Sequence, residues 1–136
     1  MPVPASSGRS PILPQLNEKY ILIPVFLGLA TNTFAASEVA LIKKGMSYQT
    51  ADASLRPSGW HQRAVHTRDG YQYIGSEKTI KEHGVKGLES CAMDKPVCIV
   101  HYAKNNNCLR VITWGEQFKD LKIDSRVQDC PAQDAL

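Results

Sequence analysis

The sequence lacks the short motifs that place catalytic groups in many small enzymes. It contains no G-x-S-x-G turn, no C-x-x-C pair for thiol exchange and no glycine-rich phosphate-binding motif. Its four cysteines are separated by 6, 9 and 21 residues, so the closely spaced pairs of structural zinc sites are also missing. These absences predict that the protein binds no metal and no cofactor.

An excess of charge of one sign is lacking too. The chain carries 16 Lys and Arg against 13 Asp and Glu, a net charge of +3, and these residues are scattered. Domains that bind nucleic acid usually carry a strongly basic face. The balance therefore argues against a nucleic-acid partner, and the scattered charges predict an ordinary solvated surface.

Residues 20–30 lack any charge and form a short apolar run, preceded by Lys19 and followed by small residues. This pattern is typical of a secretory signal peptide. The run is shorter than the roughly 20 residues that cross a bilayer. We expect cleavage after Ala35, with cleavage after Ser37 as the alternative.

The predicted organisation is therefore a signal peptide over 1–35, with an unusual proline-rich extension over 1–16, and one mature domain over 36–136. No cysteine lies near the cleavage site, so a lipid anchor is not expected. No later segment is apolar enough to hold the mature chain in a membrane. The pattern predicts a periplasmic or secreted protein.

One helix is predicted after Ser47, whose hydroxyl can accept a hydrogen bond from an amide of the first turn. Tyr48, Ala51 and Leu55 follow at the spacing of one helical face, and Pro57 with Gly59 should end the helix. Aromatic side chains are few, at 7% of the chain. A small domain needs large residues to bury, which favours core positions for Trp60 and Tyr102.

A hairpin is predicted around Asp69-Gly70, because this dipeptide suits a two-residue turn between strands. We expect its strands near 60–68 and 71–74. Ser76 is expected to cap a short helix that ends near Glu82, and residues 84–96 are expected to form a loop.

A second hairpin is predicted from strands at 97–103 and 108–114, joined by an asparagine-rich turn. A four-residue loop pairs Ala103 with Cys108. One face of this hairpin is then apolar and should meet the helix. A third strand is predicted where Leu121, Ile123 and Val127 alternate with polar residues.

The four cysteines, an even number in a short exported domain, predict two disulfides. Side chains alternate along a strand, so the hairpin register puts Cys98 and Cys108 on opposite faces. Two of the three connectivities remain, and we favour Cys91–Cys98 with Cys108–Cys130 because their loops are shorter. The predicted fold class is α+β, with one main helix packed on a small antiparallel sheet.

The segment Gly45-Met46-Ser47-Tyr48…Leu55…Gly59-Trp60 is followed by Cys91, Pro96-Val97-Cys98, the strand at 109–113 and Cys130. This order resembles a family of small uncharacterised exported bacterial proteins. The resemblance covers most of residues 43–130 and implies an α+β fold and a periplasmic or secreted location, but no activity. Gly45-Met46 opening a helix is also similar to small outer-membrane lipoprotein A and β-lactamase-inhibitor-like domains, which bind other proteins.

The candidate binding residues share the second face of the 97–114 hairpin. Apolar and basic side chains with a tryptophan are the composition expected of a binding patch. Its members are Ile99, His101, Arg110, Ile112 and Trp114.

We therefore expect a non-enzymatic protein-binding or inhibitory module, with an envelope or extracellular protein as its partner. Two alternatives remain, a small periplasmic hydrolase that uses a histidine and a purely structural envelope component. Among the histidines, His61 and His66 are expected on opposite faces of one strand, His83 is expected in solvent, and His101 lies opposite Arg110. No signature assigns a catalytic residue, and the oligomeric state is not indicated.

Overall fold

The first helix, α1, spans Tyr48–Leu55 and begins at the predicted cap. The Ser47 hydroxyl accepts a hydrogen bond of 3.1 Å from the Thr50 amide. A 3-10 turn at Arg56–Ser58 follows, and Gly59 ends it in the left-handed conformation, with φ at 91°. Tyr48, Ala51 and Leu55 are all buried, which confirms the helical face read from their spacing.

The structure is a computed structural model that describes residues 39–132. The predicted signal peptide, 1–35, lies outside the described residues. Within 39–132 no helix is long and apolar enough to cross a membrane. The second helix, α2, spans Gly75–Glu82 and is as short as α1.

A five-stranded antiparallel sheet forms the other layer, which confirms the α+β class. The strands are β1 at His61–Gln62, β2 at Leu88–Cys91, β3 at Val97–Lys104, β4 at Asn107–Trp114 and β5 at Lys122–Val127. Their order in the sheet is β1-β3-β4-β5, and β2 pairs with β3 beyond the end of β1.

The β3–β4 hairpin has the predicted register, in which Ala103 faces Cys108. Pairing continues to Lys104 and Asn107, so the turn is tighter than expected, and Asn105 adopts a positive φ of 54°. One face of the hairpin is fully buried in the core beneath the helices, as predicted. Its members are Cys98, Val100, Tyr102, Leu109, Val111 and Thr113.

Both predicted disulfides are present, Cys91–Cys98 and Cys108–Cys130. The first joins directly opposed residues of β2 and β3. The second ties the segment after β5 to the start of β4. Two disulfides indicate an oxidising, extracytoplasmic setting for the folded domain.

The core lies between the helices and the sheet. Trp60 and Tyr102 are 1% and 0% exposed, which confirms their predicted core positions. Around them pack side chains from both helices, the sheet and the segment before α1, including Ile42, Leu55, Ile80, Val85, Leu88 and Leu121.

The predicted hairpin around Asp69-Gly70 is wrong. Gly70 has a positive φ of 71° and the chain bends just before it, but the flanking residues do not pair with each other. Only His61–Gln62 is a strand, and it pairs with β3 instead. Residues 71–74 form no strand because their tyrosines contact α2 and β2.

Three smaller predictions also need correction. Helix α2 has Ile74 at its N-cap without a side-chain hydrogen bond, so Ser76 is not the cap. The predicted loop at 84–96 contains β2, since Leu88 lies beside Val100 in the sheet. Val127 is 40% exposed instead of lying with Ile123 on the buried face, because β5 bulges between them.

Candidate functional site

The predicted binding residues lie on the face of β3 and β4 that points away from the helices, here called the outer face. Trp114 is 52% exposed at the end of β4. Ile112 and Ile99 are directly opposed across the two strands and are both half-buried. The structure therefore brings these three apolar side chains together on one partly open surface.

A β-bulge in β5 widens the outer face. Ile112 faces Ser125 and Thr113 faces Ile123, so Asp124 is an extra residue. After the bulge the side-chain alternation is reversed. Val127, beside Arg110, therefore joins the outer face instead of the core.

His101 lies at the end of the outer face that other segments cover, and it is only 1% exposed. Its Nε2 atom is hydrogen-bonded to the Glu89 carboxylate. Its Nδ1 atom is buried and has no partner within the described residues. The segment after β1 lies against this position, since the Arg63 amide donates to the His101 carbonyl at 2.8 Å.

Arg110 is directly opposite His101 in the ladder, as predicted, but the two side chains bind different carboxylates. The Arg110 guanidinium pairs with Asp129 at 2.9 Å, beyond the end of β5. This ion pair holds the C-terminal segment beside the outer face, next to the Cys108–Cys130 disulfide.

His66 contributes a second histidine–carboxylate pair, in a backbone conformation with φ at 57°. Its Nδ1 atom lies 2.5 Å from Asp69 Oδ2, and its Nε2 atom lies 3.0 Å from the Glu89 carbonyl oxygen. The ring stacks on Tyr71 with centroids 4.0 Å apart. The hydrogen bond from His66 lowers the pKa of the Asp69 carboxyl.

The outward edge of β2 is capped by side chains from residues 66–77. Glu77, 6% exposed, accepts hydrogen bonds from the Cys91 amide at 2.7 Å and from the Tyr71 hydroxyl at 3.0 Å. Tyr73 donates its hydroxyl to the Leu88 carbonyl at 2.6 Å, and burial raises its pKa to about 12. With the bond from His66 to Glu89, these contacts close the edge of the sheet to further strands.

A general base needs a ring nitrogen that can reach a substrate proton. Both nitrogens of His66 face acceptors, and the unbonded nitrogen of His101 is buried. His61 and His83 are exposed, and His83 directs Nδ1 to the Thr79 carbonyl at 2.7 Å.

Residues 39–132 contain no group of three or more His, Cys, Asp or Glu side chains that could hold a metal ion.

Comparisons of the chain with protein families, with curated proteins and with solved structures found no match. The resemblance carried by Gly45–Trp60 and the four cysteines therefore stays a prediction. The partners of the outer-face residues were not predicted from the sequence. Glu89 and Asp129 are single carboxylates far from His101 and Arg110 along the chain, and no local pattern marks them.

Proposed function

We propose that this protein is a periplasmic or secreted, non-enzymatic module that binds another envelope or extracellular protein through its outer face. The observation that carries the proposal is Trp114, a large aromatic side chain left 52% exposed on a strand that is paired on both sides. Tryptophan is enriched among the residues that dominate binding energy at protein interfaces. Two disulfides in so small a domain fit an exported protein.

The surroundings of Trp114 favour a partner of particular chemistry. Ile112 and Val127 extend the apolar surface, while Lys122 lies directly opposite Trp114 in the ladder. Nearby, Arg110 is already neutralised by Asp129. A partner with an apolar pocket for the indole and a carboxylate beside it would complement this surface.

The hydrolase alternative has one observation in its favour, the two histidine–carboxylate pairs. Yet His66 uses both ring nitrogens to hold the 66–77 segment, and His101 is buried beneath Glu89. Neither histidine lines the clefts beside Cys91 and Trp60. These pairs are better explained as structural contacts that attach the segment to the sheet.

The test begins with photo-crosslinking from Ile112 in envelope extract, followed by purification of the captured protein. We expect its direct binding to weaken about thirtyfold in Trp114→Ala, the loss of a hot-spot side chain worth roughly 2 kcal/mol. Ile74→Ala is the matched control, because Ile74 is 65% exposed outside the sheet. Equal weakening in both variants, or none in Trp114→Ala, would contradict the proposal.

A further inference from the structure

A second surface feature lies at the end of α1, and none of the outer-face residues lines it. It is a cleft of about 530 Å³, here called the Trp60 cleft, and this volume falls within the usual range for small-molecule sites. Its lining comes from the 3-10 turn, β1 and the connection between α2 and β2. The residues are Arg56, Trp60, His61, Gln62, Gly84 and Lys86.

Trp60 is the largest side chain that lines the cleft, and the surface exposed inside the cleft is mostly apolar. Its indole Nε1 is closed to solvent and has no partner within the described residues, so this N–H does not take part in the site. A mostly apolar lining suits an apolar ring on the ligand.

The charged side chains that line the Trp60 cleft are all basic. Arg56 and Lys86 are exposed cations, His61 is exposed as well, and no lining residue carries a carboxylate. A guanidinium and an ammonium at one cleft favour a carboxylate or a phosphate, which offer several acceptor oxygens.

A partly buried hydrogen-bond network holds Arg56 in position. Its Nη2 atom lies 2.6 Å from Asp52 Oδ2. Asp52 Oδ1 accepts from the Tyr102 hydroxyl at 2.7 Å and from Gln62 Nε2 at 3.3 Å. Gln62 in turn accepts from the Gly87 amide at 3.0 Å. Two of the lining side chains, Arg56 and Gln62, are thus tied to the core before any ligand arrives, which lowers the entropic cost of binding.

From these contacts we infer that the Trp60 cleft binds a small organic anion, an apolar ring that bears a carboxylate or a phosphate. The anionic group pairs with Lys86 and the outer edge of Arg56. The ring packs against the apolar wall of the cleft, which Trp60 helps to form. This site is independent of protein binding by the outer face.

The two tryptophans make the test direct, because the chain contains only Trp60 and Trp114. In the folded, oxidised protein labelled with ¹⁵N, each indole N–H gives one NMR signal, and Trp114→Phe assigns them. Benzoate and phenyl phosphate are titrated, with benzamide as the neutral analogue. We expect the Trp60 signal to shift with the anions while the Trp114 signal stays in place.

Lys86→Gln should weaken binding of the better anion about tenfold, since it removes one charged partner. Lys95→Gln is the control, because this exposed lysine lines a different cleft. The tighter of the two anions identifies the preferred group. Three results would each overturn the inference: no shift of the Trp60 signal at millimolar anion, equal binding of benzamide, or equal affinity in Lys86→Gln. None of these results tests protein binding by the outer face, which the Trp114→Ala variant tests separately.

Discussion

Removing the contact between Tyr71 and Glu77 should measure how firmly the 66–77 segment is attached to the sheet. The Tyr71 hydroxyl lies 3.0 and 3.1 Å from the two carboxylate oxygens of Glu77, which is 6% exposed. A hydrogen bond to a charged group contributes about 1.5–3 kcal/mol. Because Tyr71 is half-exposed, we expect Tyr71→Phe to cost about 1.5 kcal/mol, at the lower end of that range.

Glu77→Gln keeps an oxygen for the Cys91 amide but turns one acceptor towards Tyr71 into an amide donor. We expect it to cost about 2 kcal/mol. The double variant should be less destabilised than the sum of the two, with a coupling energy near 1 kcal/mol. Urea unfolding of the oxidised proteins, followed by circular dichroism, measures all four free energies of unfolding. Additivity within about 0.3 kcal/mol would refute the claim that this bond attaches the segment.

The same bond gives a pH signature. Burial, and then the hydrogen bond to Glu77, raises the pKa of Tyr71. A group whose pKa is raised by folding stabilises the protein below its unfolded pKa, and this contribution is lost as the pH rises. The stability difference between the wild type and Tyr71→Phe should therefore shrink above about pH 10. A difference that stays constant to higher pH would show that the hydroxyl does not act through its protonated form.

Three further results are expected. Replacing Cys108 and Cys130 together by serine opens a link across 22 residues and should cost about 3.4 kcal/mol in urea unfolding; a negligible loss would show that this bridge does not constrain the chain. His66→Ala should raise the pKa of Asp69 in an NMR titration of its carboxyl, because it removes the hydrogen bond that lowers this pKa. The stability that comes from the lowered pKa is present above about pH 4 and is lost as the pH falls below it, and an unchanged pKa would contradict the pair. Gly87→Ala should lower the melting temperature measurably, because a Cβ there overlaps a backbone carbonyl of β3; an unchanged melting temperature would show that the strands can separate at no cost.

Local patterns predicted the elements whose structure depends on near neighbours in the sequence. Ser47 caps α1 through an amide three residues later, and the alternation along β3 and β4 determines which side chains meet the helix. Because the register follows from the turn, it also excluded Cys98–Cys108, and the shorter loops then favoured the pairing that the structure shows. Apart from this comparison of loop lengths, these inferences needed only contacts along one helix or across one tight turn.

The Asp69-Gly70 prediction failed because distant contacts outweighed a local preference. The chain does bend at this dipeptide, but Tyr71 and Tyr73 bind Glu77 and the Leu88 carbonyl rather than pairing back along the chain. A tyrosine has high strand propensity whether its hydroxyl finds a partner or not. The sequence does not show that these hydroxyls cap the edge of a strand more than ten residues away.

The outer face could be predicted only in part, since two β-bulges determine its extent. Glu89 is the extra residue in β2 and reaches His101, while Asp124 is the extra residue in β5 and moves Val127 out of the core. A bulge reverses the alternation beyond it, so regular alternation assigns the following side chains to the wrong face. The central residues of the outer face, Ile99, Ile112 and Trp114, were therefore predictable from the register of the β3–β4 hairpin. The buried end at His101 and the added apolar edge were not, because both depend on where neighbouring strands depart from regular pairing.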